Sequence, residues 1–393
     1  MHKLPAPIQE RERLYWIDAA RGFAIFGILM VNIGAFSAPY FIYGGGEITW
    51  NAPVDRITQA VIDIFFQASF YTIFSFLFGF GLQLMIDRLS IKGVPYMTIL
   101  TRRLLLLLGI GFIHAFFIWH GDILLTYAVV GLTALLFIQV KDETLLIWAI
   151  SILTAFVGLF TLIMYGFRDF VTVYNQKLIE EAIYNYTSDS IRSIWLQNIQ
   201  DWMNANGYGF GLLLSMGFIL PLFLLGLYVG RKGWLHQPLQ YRSILMKVWW
   251  ISFILFIGLK LGPYSFGNPK WFSFVQDNIG GTFSGLFYIL TITFLAQTKV
   301  GKKVMHPFVY VGRMALTNYI MQSVICFFLF YGIGFGWYGE ITPLSGVGIG
   351  VVIYSLQIVW SICWLRYFKF GPLEWIWRSL TYNKKQPLRR KTA

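Results

Sequence analysis

The sequence predicts an all-α integral membrane protein, a bundle of about ten transmembrane helices with both termini cytoplasmic. Three observations predict it. Of 393 residues, 57% are hydrophobic and 19% aromatic, and only 12% are charged. Mean hydropathy is +0.61. Apolar runs of bilayer-crossing length, about 20 residues, recur along the chain. A charged fraction about half that of ordinary globular proteins excludes the soluble fold classes.

The runs fall at 14–36, 58–86, 99–119, 122–140, 144–167, 207–230, 243–262, 279–298, 308–333 and 344–366. The first follows a polar lead. Asp18 and Arg21 interrupt any signal-peptide core there, so the run reads as a retained helix. The second is longer than one crossing needs, so it tilts or projects from the bilayer. The third and fourth meet at "IWHGDIL", a corner centred on Gly121. Between the fifth and sixth lies an extracytoplasmic stretch, 168–206. Its apolar spacing ("VYNQKLIEEAIYNY") suggests interfacial helix, and a solvated loop or a lid are both open readings. The ninth ends at "GIGFGWYGEITPLSG", where glycine and proline break the helix. "IFSFLFGFGLQLMIDR" and "LPLFLLGLYVGRKG" share apolar–glycine spacing, which fits either an old duplication or close helix packing. The whole chain, 1–393, reads as one polytopic domain with tails at 1–13 and 367–393.

Lysine and arginine set the orientation. With the N-terminus inside, the outer segments hold only Arg56, Arg168, Lys177, Arg192, Lys260 and Lys270. All the others except Arg21, which lies within the first helix, fall to the cytoplasmic side. The net charge of +13 is thus explained by topology and by a basic tail suited to anionic lipid. Nucleic acid is not needed as a partner. The expected location is a bacterial plasma membrane, as a multi-pass protein. Cys326 and Cys363 both lie in apolar runs and offer no disulfide framework or redox pair.

Polar groups inside apolar runs carry the functional information, because each costs energy in lipid. Asp18 and Arg21, three apart, share a helix face and can pair. They form either a structural ion pair or an anion-binding element in which Asp18 holds the Arg21 fork. Asn32 lies about 16 Å further along by helix rise, suited to an interhelical hydrogen bond. The third run starts with Arg102 and Arg103 and carries His114, the one histidine within a helix core. His120 and Asp122 flank its outer corner. Asp63 lies in the second helix. Arg313, Asn318, Gln322 and Ser323 lie in "GRMALTNYIMQS", where Asn318 and Gln322 share a face expected to point at protein. His114, His120 and Asp122 straddle a turn, and the sequence has no HxxxH, so no metal is expected.

"IDAARGFAIFGILMVN", "FSFLFGFG", "RRLLLLLGIGFIHAFFIWHGDILLTYAVVG", "GRMALTNYIMQS" and "GPLEWIWRSLTY" together resemble the YeiB-like family, over nearly the whole chain. A broader resemblance is to the transmembrane acyltransferases: the acyltransferase 3 family and the heparan-glucosaminide acetyltransferases. They share a first-helix Asp-x-x-Arg-Gly, and acyltransferase 3 proteins carry an Arg-x10-His on the third helix. Arg103 and His114 have that spacing here. The resemblance implies transfer of an acyl group from a cytoplasmic thioester to a hydroxyl or amine outside. One departure stands out. Acyltransferase 3 proteins place a histidine where this chain has Asn32, which cannot act as a base. Heparan-type enzymes use a histidine in the next loop, and here that loop has none.

Three functions follow as expectations. In a membrane acyltransferase, Arg21, Arg102 and Arg103 would hold the phosphates of acyl-coenzyme A, with Asp18 positioning Arg21. His114 would be the base, helped by Asp122 or His120, and the acceptor is not identified. A proton-coupled exporter or flippase would use the same intramembrane polar groups, although no matched pair of broken helices is evident. A non-catalytic protein on the acyltransferase fold is the third. The oligomeric state is not legible.

Overall fold

The computed structural model describes residues 13–170 and 174–390. Positions 1–12 of the first tail, 171–173 of the loop and 391–393 of the last tail lie outside the described residues. Every expected apolar run is helical. α1 is Tyr15–Ser37. The second run is divided into α2 (Pro53–Phe65) and α3 (Ser69–Ile91). Then come α4 (Tyr96–Phe117), α5 (Leu124–Ala134) and α6 (Asp142–Gly166). The outer stretch forms α7 (Gln176–Tyr186) and α8 (Ile191–Ala205). α9 (Phe210–Lys232), α10 (Arg242–Phe256) and α11 (Gly281–Leu295) follow. α12 (Lys299–Arg313) and α13 (Ala315–Phe330) derive from the ninth run. α14 (Pro343–Tyr367) and a short α15 (Pro372–Thr381) complete the chain.

Among the described residues, 8 helical spans are long and apolar enough to cross a membrane, and the number is 9 if the bent pair α12–α13 is one span. Two expectations change here. The run at 122–140 yields only Leu124–Phe137, about 21 Å by helix rise. That is short of the bilayer core. The ninth span is not straight: its halves meet at a 78° bend. Met314 at the break has left the helical region (φ −119°, ψ 34°). The outer stretch is a helix pair rather than a solvated loop. Asn175 caps α7 and Ser190 caps α8 through side-chain oxygens, and Asn198 donates to the Ala115 carbonyl at 2.7 Å.

Residues on all sides of α1 are buried, so it is a central helix. α6 is the opposite case, with Ile147, Trp148 and Leu162 exposed as a lipid-facing rim would be. Glycines set the closest approaches. A Cβ on Gly22 would overlap the Phe308 carbonyl, and one on Gly312 the Asp18 carbonyl, so α1 and α12 pack backbone to backbone. The two sequence stretches with matching glycine spacing also meet. A Cβ on Gly79 would overlap the Phe223 carbonyl, and one on Gly226 the Phe76 carbonyl. The shared spacing therefore serves a parallel α3–α9 contact.

Candidate functional site

A cavity of about 240 Å³ opens among α1, α3, α4, α5, the end of α12, α13 and α15. It is lined by Leu14, which caps α1, and by Ile17, Asp18, Arg21, Ile25 and Ile28 on that helix. That stripe at helical spacing runs about 21 Å along the axis. Gly81 on α3 makes the room: a Cβ there would stand 3.2 Å from Arg21 Nη2. Arg13, Arg21, Arg88, Arg103, Arg313 and Arg378 line one end, the end from which α1 starts. Only Asp18 and Glu374 oppose them among the lining carboxylates.

Each charge is held in place by something specific. Asp18 is 4% exposed. It takes a two-pronged hydrogen bond from Arg13, Nε to Oδ2 and Nη2 to Oδ1, both 2.7 Å. Arg21 Nη1 stands further off, 3.7 Å from Asp18 Oδ1. The expected Asp18–Arg21 ion pair is present at this longer distance, and Arg13 joins it as the closer partner. The Arg103 guanidinium lies over Trp377, its Cζ 3.6 Å from the ring centroid, and the Trp377 indole donates to the Arg103 carbonyl at 2.9 Å. Arg102 does not line the cavity. Its guanidinium reaches the Thr381 carbonyl at 3.4 Å, so it fastens α15 to α4 instead of joining the cluster.

The bend in the ninth span also ends here. α13 starts at the cavity wall, and its free N–H groups carry the positive end of the helix dipole. Glu374 of α15 satisfies them. Its Oε1 accepts from the Leu316 and Thr317 amides at 2.7 and 3.1 Å, and its Oε2 from the Thr317 hydroxyl. Burial raises the Glu374 carboxyl above its usual range, against the pull of those donors. Burial, with Arg13 nearby, lowers Arg378 to about 10.

The far end of the cavity is lined by Ile123, Leu124, Tyr127 and Tyr319. Directly behind it lies His114. Its Nδ1 is 2.7 Å from Asp122 Oδ1, and its Nε2 is 2.8 Å from Ser323 Oγ. The other oxygen of Asp122 accepts from the Leu125 amide at 2.7 Å, at the N-terminus of α5. Asp122 therefore has both oxygens fixed. Facing a carboxylate, Nδ1 carries the imidazole proton, which leaves Nε2 as the acceptor for the Ser323 hydroxyl. The Tyr319 ring packs on the imidazole with centroids 5.2 Å apart.

The two candidate partners of His114 thus separate. Asp122 meets it and His120 does not. His120 Nδ1 is 3.3 Å from the Tyr186 hydroxyl and 3.8 Å from Asp201 Oδ2. Asp201 also accepts from Tyr43 at 2.6 Å, Tyr186 at 2.9 Å and Gln197 at 2.7 Å. This network ties α7 and α8 to the bundle, and burial lowers the His120 imidazole.

The other polar candidates divide similarly. Asn318 donates to Ser361 at 3.0 Å, and Gln322 to Gln357 at 2.9 Å. Both face protein, as expected, and bind α13 to α14. Gln322 also donates to the Ile25 carbonyl at 3.3 Å, so it stands level with the cavity wall on α1. Asn32 is half-buried, one turn past Ile28 on the lining stripe of α1. Asp63 belongs elsewhere. It accepts from Tyr264 at 2.6 Å and Gln276 at 3.0 Å, close to the fully buried Lys260. Among the described residues no group of histidine, cysteine, aspartate and glutamate is placed to hold a metal ion.

Arg13, Arg88, Glu374 and Arg378 enter the site only through the structure, and Ser323, an intramembrane polar residue by sequence, gains a partner in His114. The signal for Ser323 was a hydroxyl within an apolar run, on a different side of α13 from Asn318 and Gln322. For Glu374 and Arg378 it was their i, i+4 spacing in "GPLEWIWRSL".

Comparison with known proteins bears on this site. Residues 229–384 match the family model described as "Protein of unknown function (DUF418)". That region contains Arg313, Ser323, Glu374 and Arg378, whereas Asp18, Arg21 and His114 lie before it. The chain is 37% identical to "Uncharacterized protein YxaH" of Bacillus subtilis (strain 168), covering 98% of both chains. It is 30% identical to "Uncharacterized protein YeiB" of Escherichia coli (strain K12), covering 97% of this chain and 100% of that one. A 31% identical protein of Bacillus acidopullulyticus is similar over 97% of each. With relatives matched end to end at these identities, the chain belongs to the DUF418-containing family that includes YxaH and YeiB.

Proposed function

We propose that this protein is a membrane acyltransferase. It takes an acyl group from acyl-coenzyme A at the basic end of the cavity and passes it to a hydroxyl or amine at the other end. The observation that carries the reading is one elongated cavity with an arginine cluster at one end and a fixed Asp122–His114 pair behind the other. A polyanionic thioester has that same division, with phosphates at one end and a reactive carbonyl at the other.

The roles follow from the geometry. Arg21, Arg103 and Arg378 bind phosphate oxygens, with Arg13 and Asp18 fixing the orientation of Arg21. The apolar walls, Ile25, Ile28, Leu77 and Leu107, exclude water from the thioester arm. His114 Nε2 accepts a proton, and Asp122 holds the imidazole in the required tautomer and steadies the charge that develops. Asn32 contributes no base, so proton removal rests on His114. The positive-inside count makes the arginine end cytoplasmic, which fits a cytoplasmic thioester and an acceptor outside.

The test is calorimetric titration of coenzyme A and acetyl-coenzyme A into the purified protein. Wild-type binding that is lost in Arg21→Ala and Arg103→Ala supports the reading. No binding at millimolar ligand overturns it. A second reading, export of an organic anion, draws on the 78° break of α12–α13 at the cavity wall, since broken helices build transporter sites. Uptake of labelled anion into vesicles under a pH gradient, without thioester cleavage, would favour it.

A further inference from the structure

Resting on the acyltransferase reading, we propose that Ser323 is the nucleophile: the acyl group is carried as a Ser323 ester between donor and acceptor. Four observations converge. Ser323 Oγ lies 2.8 Å from His114 Nε2, and His114 Nδ1 lies 2.7 Å from Asp122. This is the nucleophile–base–orienter order of covalent acyl transfer. Ser323 is 1% exposed, so water does not compete for its ester. Ser323 is not needed to join α13 to α14, because Asn318 and Gln322 already make those bonds. Gln322, its chain neighbour, bonds to the Ile25 carbonyl of the cavity wall.

Tyr319 separates this relay from the cavity. It lines the cavity, packs on His114 and lies one turn before Ser323 on α13. Its hydroxyl makes no hydrogen bond within 3.5 Å among the described residues, and the polar groups near it are the Ile123 backbone and Asp122, so rotation of the ring gives up only weak polar contact. Movement of that one ring joins the thioester arm to Ser323.

The chemistry balances in two halves. His114 Nε2 takes the Ser323 proton as Oγ bonds to the thioester carbonyl carbon. The carbon–sulfur bond breaks, and sulfur leaves as the thiol with that proton. The acceptor hydroxyl or amine then gives its proton to His114 Nε2 and attacks the ester carbon. The bond from that carbon to Oγ breaks, and Oγ regains the proton. Donor and acceptor need never be bound together, which suits substrates that reach the bundle from opposite sides.

The experiment is incubation of the full-length protein in nanodiscs with radiolabelled acetyl-coenzyme A and no acceptor, followed by denaturing gel and peptide mass spectrometry. The expected result is an acetyl group on the peptide bearing Ser323. The label is lost in Ser323→Ala and His114→Ala although both still bind coenzyme A by calorimetry. Ser323→Cys restores a label that hydroxylamine removes. Binding of acetyl-coenzyme A without any label, or a label that persists in Ser323→Ala, overturns the proposal and leaves the acyltransferase reading standing. Absence of binding in the wild-type protein overturns both.

Discussion

Asp18→Asn removes a carboxylate that faces both Arg13 and Arg21. Two hydrogen bonds of 2.7 Å join it to Arg13, and Arg21 stands at 3.7 Å. At an effective dielectric of about 20, unit charges some 4 Å apart attract by about 4 kcal/mol. Two such partners give a gross attraction near 8 kcal/mol, which desolvation offsets in large part. Breaking a buried pair costs about 3–5 kcal/mol, because the remaining charge loses its partner. Asparagine keeps the shape and one acceptor oxygen, so the loss falls near 3 kcal/mol. At roughly 2 °C per kcal/mol for a chain of this size, the midpoint drops by about 6 °C. Thermal unfolding in nanodiscs, read by the fluorescence of the 15 tryptophans, measures it. Pyrophosphate should then stabilise Asp18→Asn more than the wild type, because a bound anion replaces the missing charge. Arg13→Met should cost less in the Asp18→Asn background than alone, as expected for residues in one network. A variant that melts with the wild-type protein would refute the assignment of Asp18 as the counter-charge of the cluster.

Three further outcomes are expected. Arg103→Lys keeps the charge but loses the guanidinium contact over Trp377, so coenzyme A affinity falls about 2- to 30-fold by titration, for about 0.5–2 kcal/mol. Gly79→Leu drives side-chain atoms into the Phe223 carbonyl and costs about 1–3 kcal/mol or more; Gly158→Ala, which meets nothing within 4 Å, melts with the wild type. His120 carries a lowered pKa, so the unfolded chain takes up a proton first as pH falls below 6.5, and the folded state loses stability from there down to the lowered value. The midpoint therefore drops between pH 7.5 and 5.5, and His120→Gln shows a smaller drop; an equal drop in that variant would clear His120 of the effect.

The membrane class and the helical runs were legible because a bilayer imposes one repeated demand, a run of apolar residues long enough to cross it. The breaks were less so. The bend at Met314 needs an account of where the N–H groups of Leu316 and Thr317 go, and their acceptor, Glu374, is supplied from α15. Run 122–140 reads as a full span by composition, but α5 stops early, and Arg231 takes up the carbonyls left at its end, Ile138 and Val140, at 2.6 Å each. Asp122 with His114 could be anticipated, since eight residues and one tight corner separate them. Arg13 was missed because it precedes the apolar run and looked like part of a solvated tail. Arg102 and Arg103 are identical in local sequence terms, and only the direction in which each leaves α4 divides them.

α15 has a consequence for biosynthesis. It lies outside the membrane spans, yet it supplies Glu374 to the first turn of α13, Trp377 to Arg103 and Arg378 to the cavity. α1 enters the membrane long before these residues are translated, with Asp18 and Arg21 already in place and the cavity still incomplete. The arginine-rich chamber is therefore finished from its C-terminal side, late in synthesis. Shortening the chain before residue 372 should remove the floor of the chamber and uncap the helix that carries Ser323, while leaving every membrane crossing present.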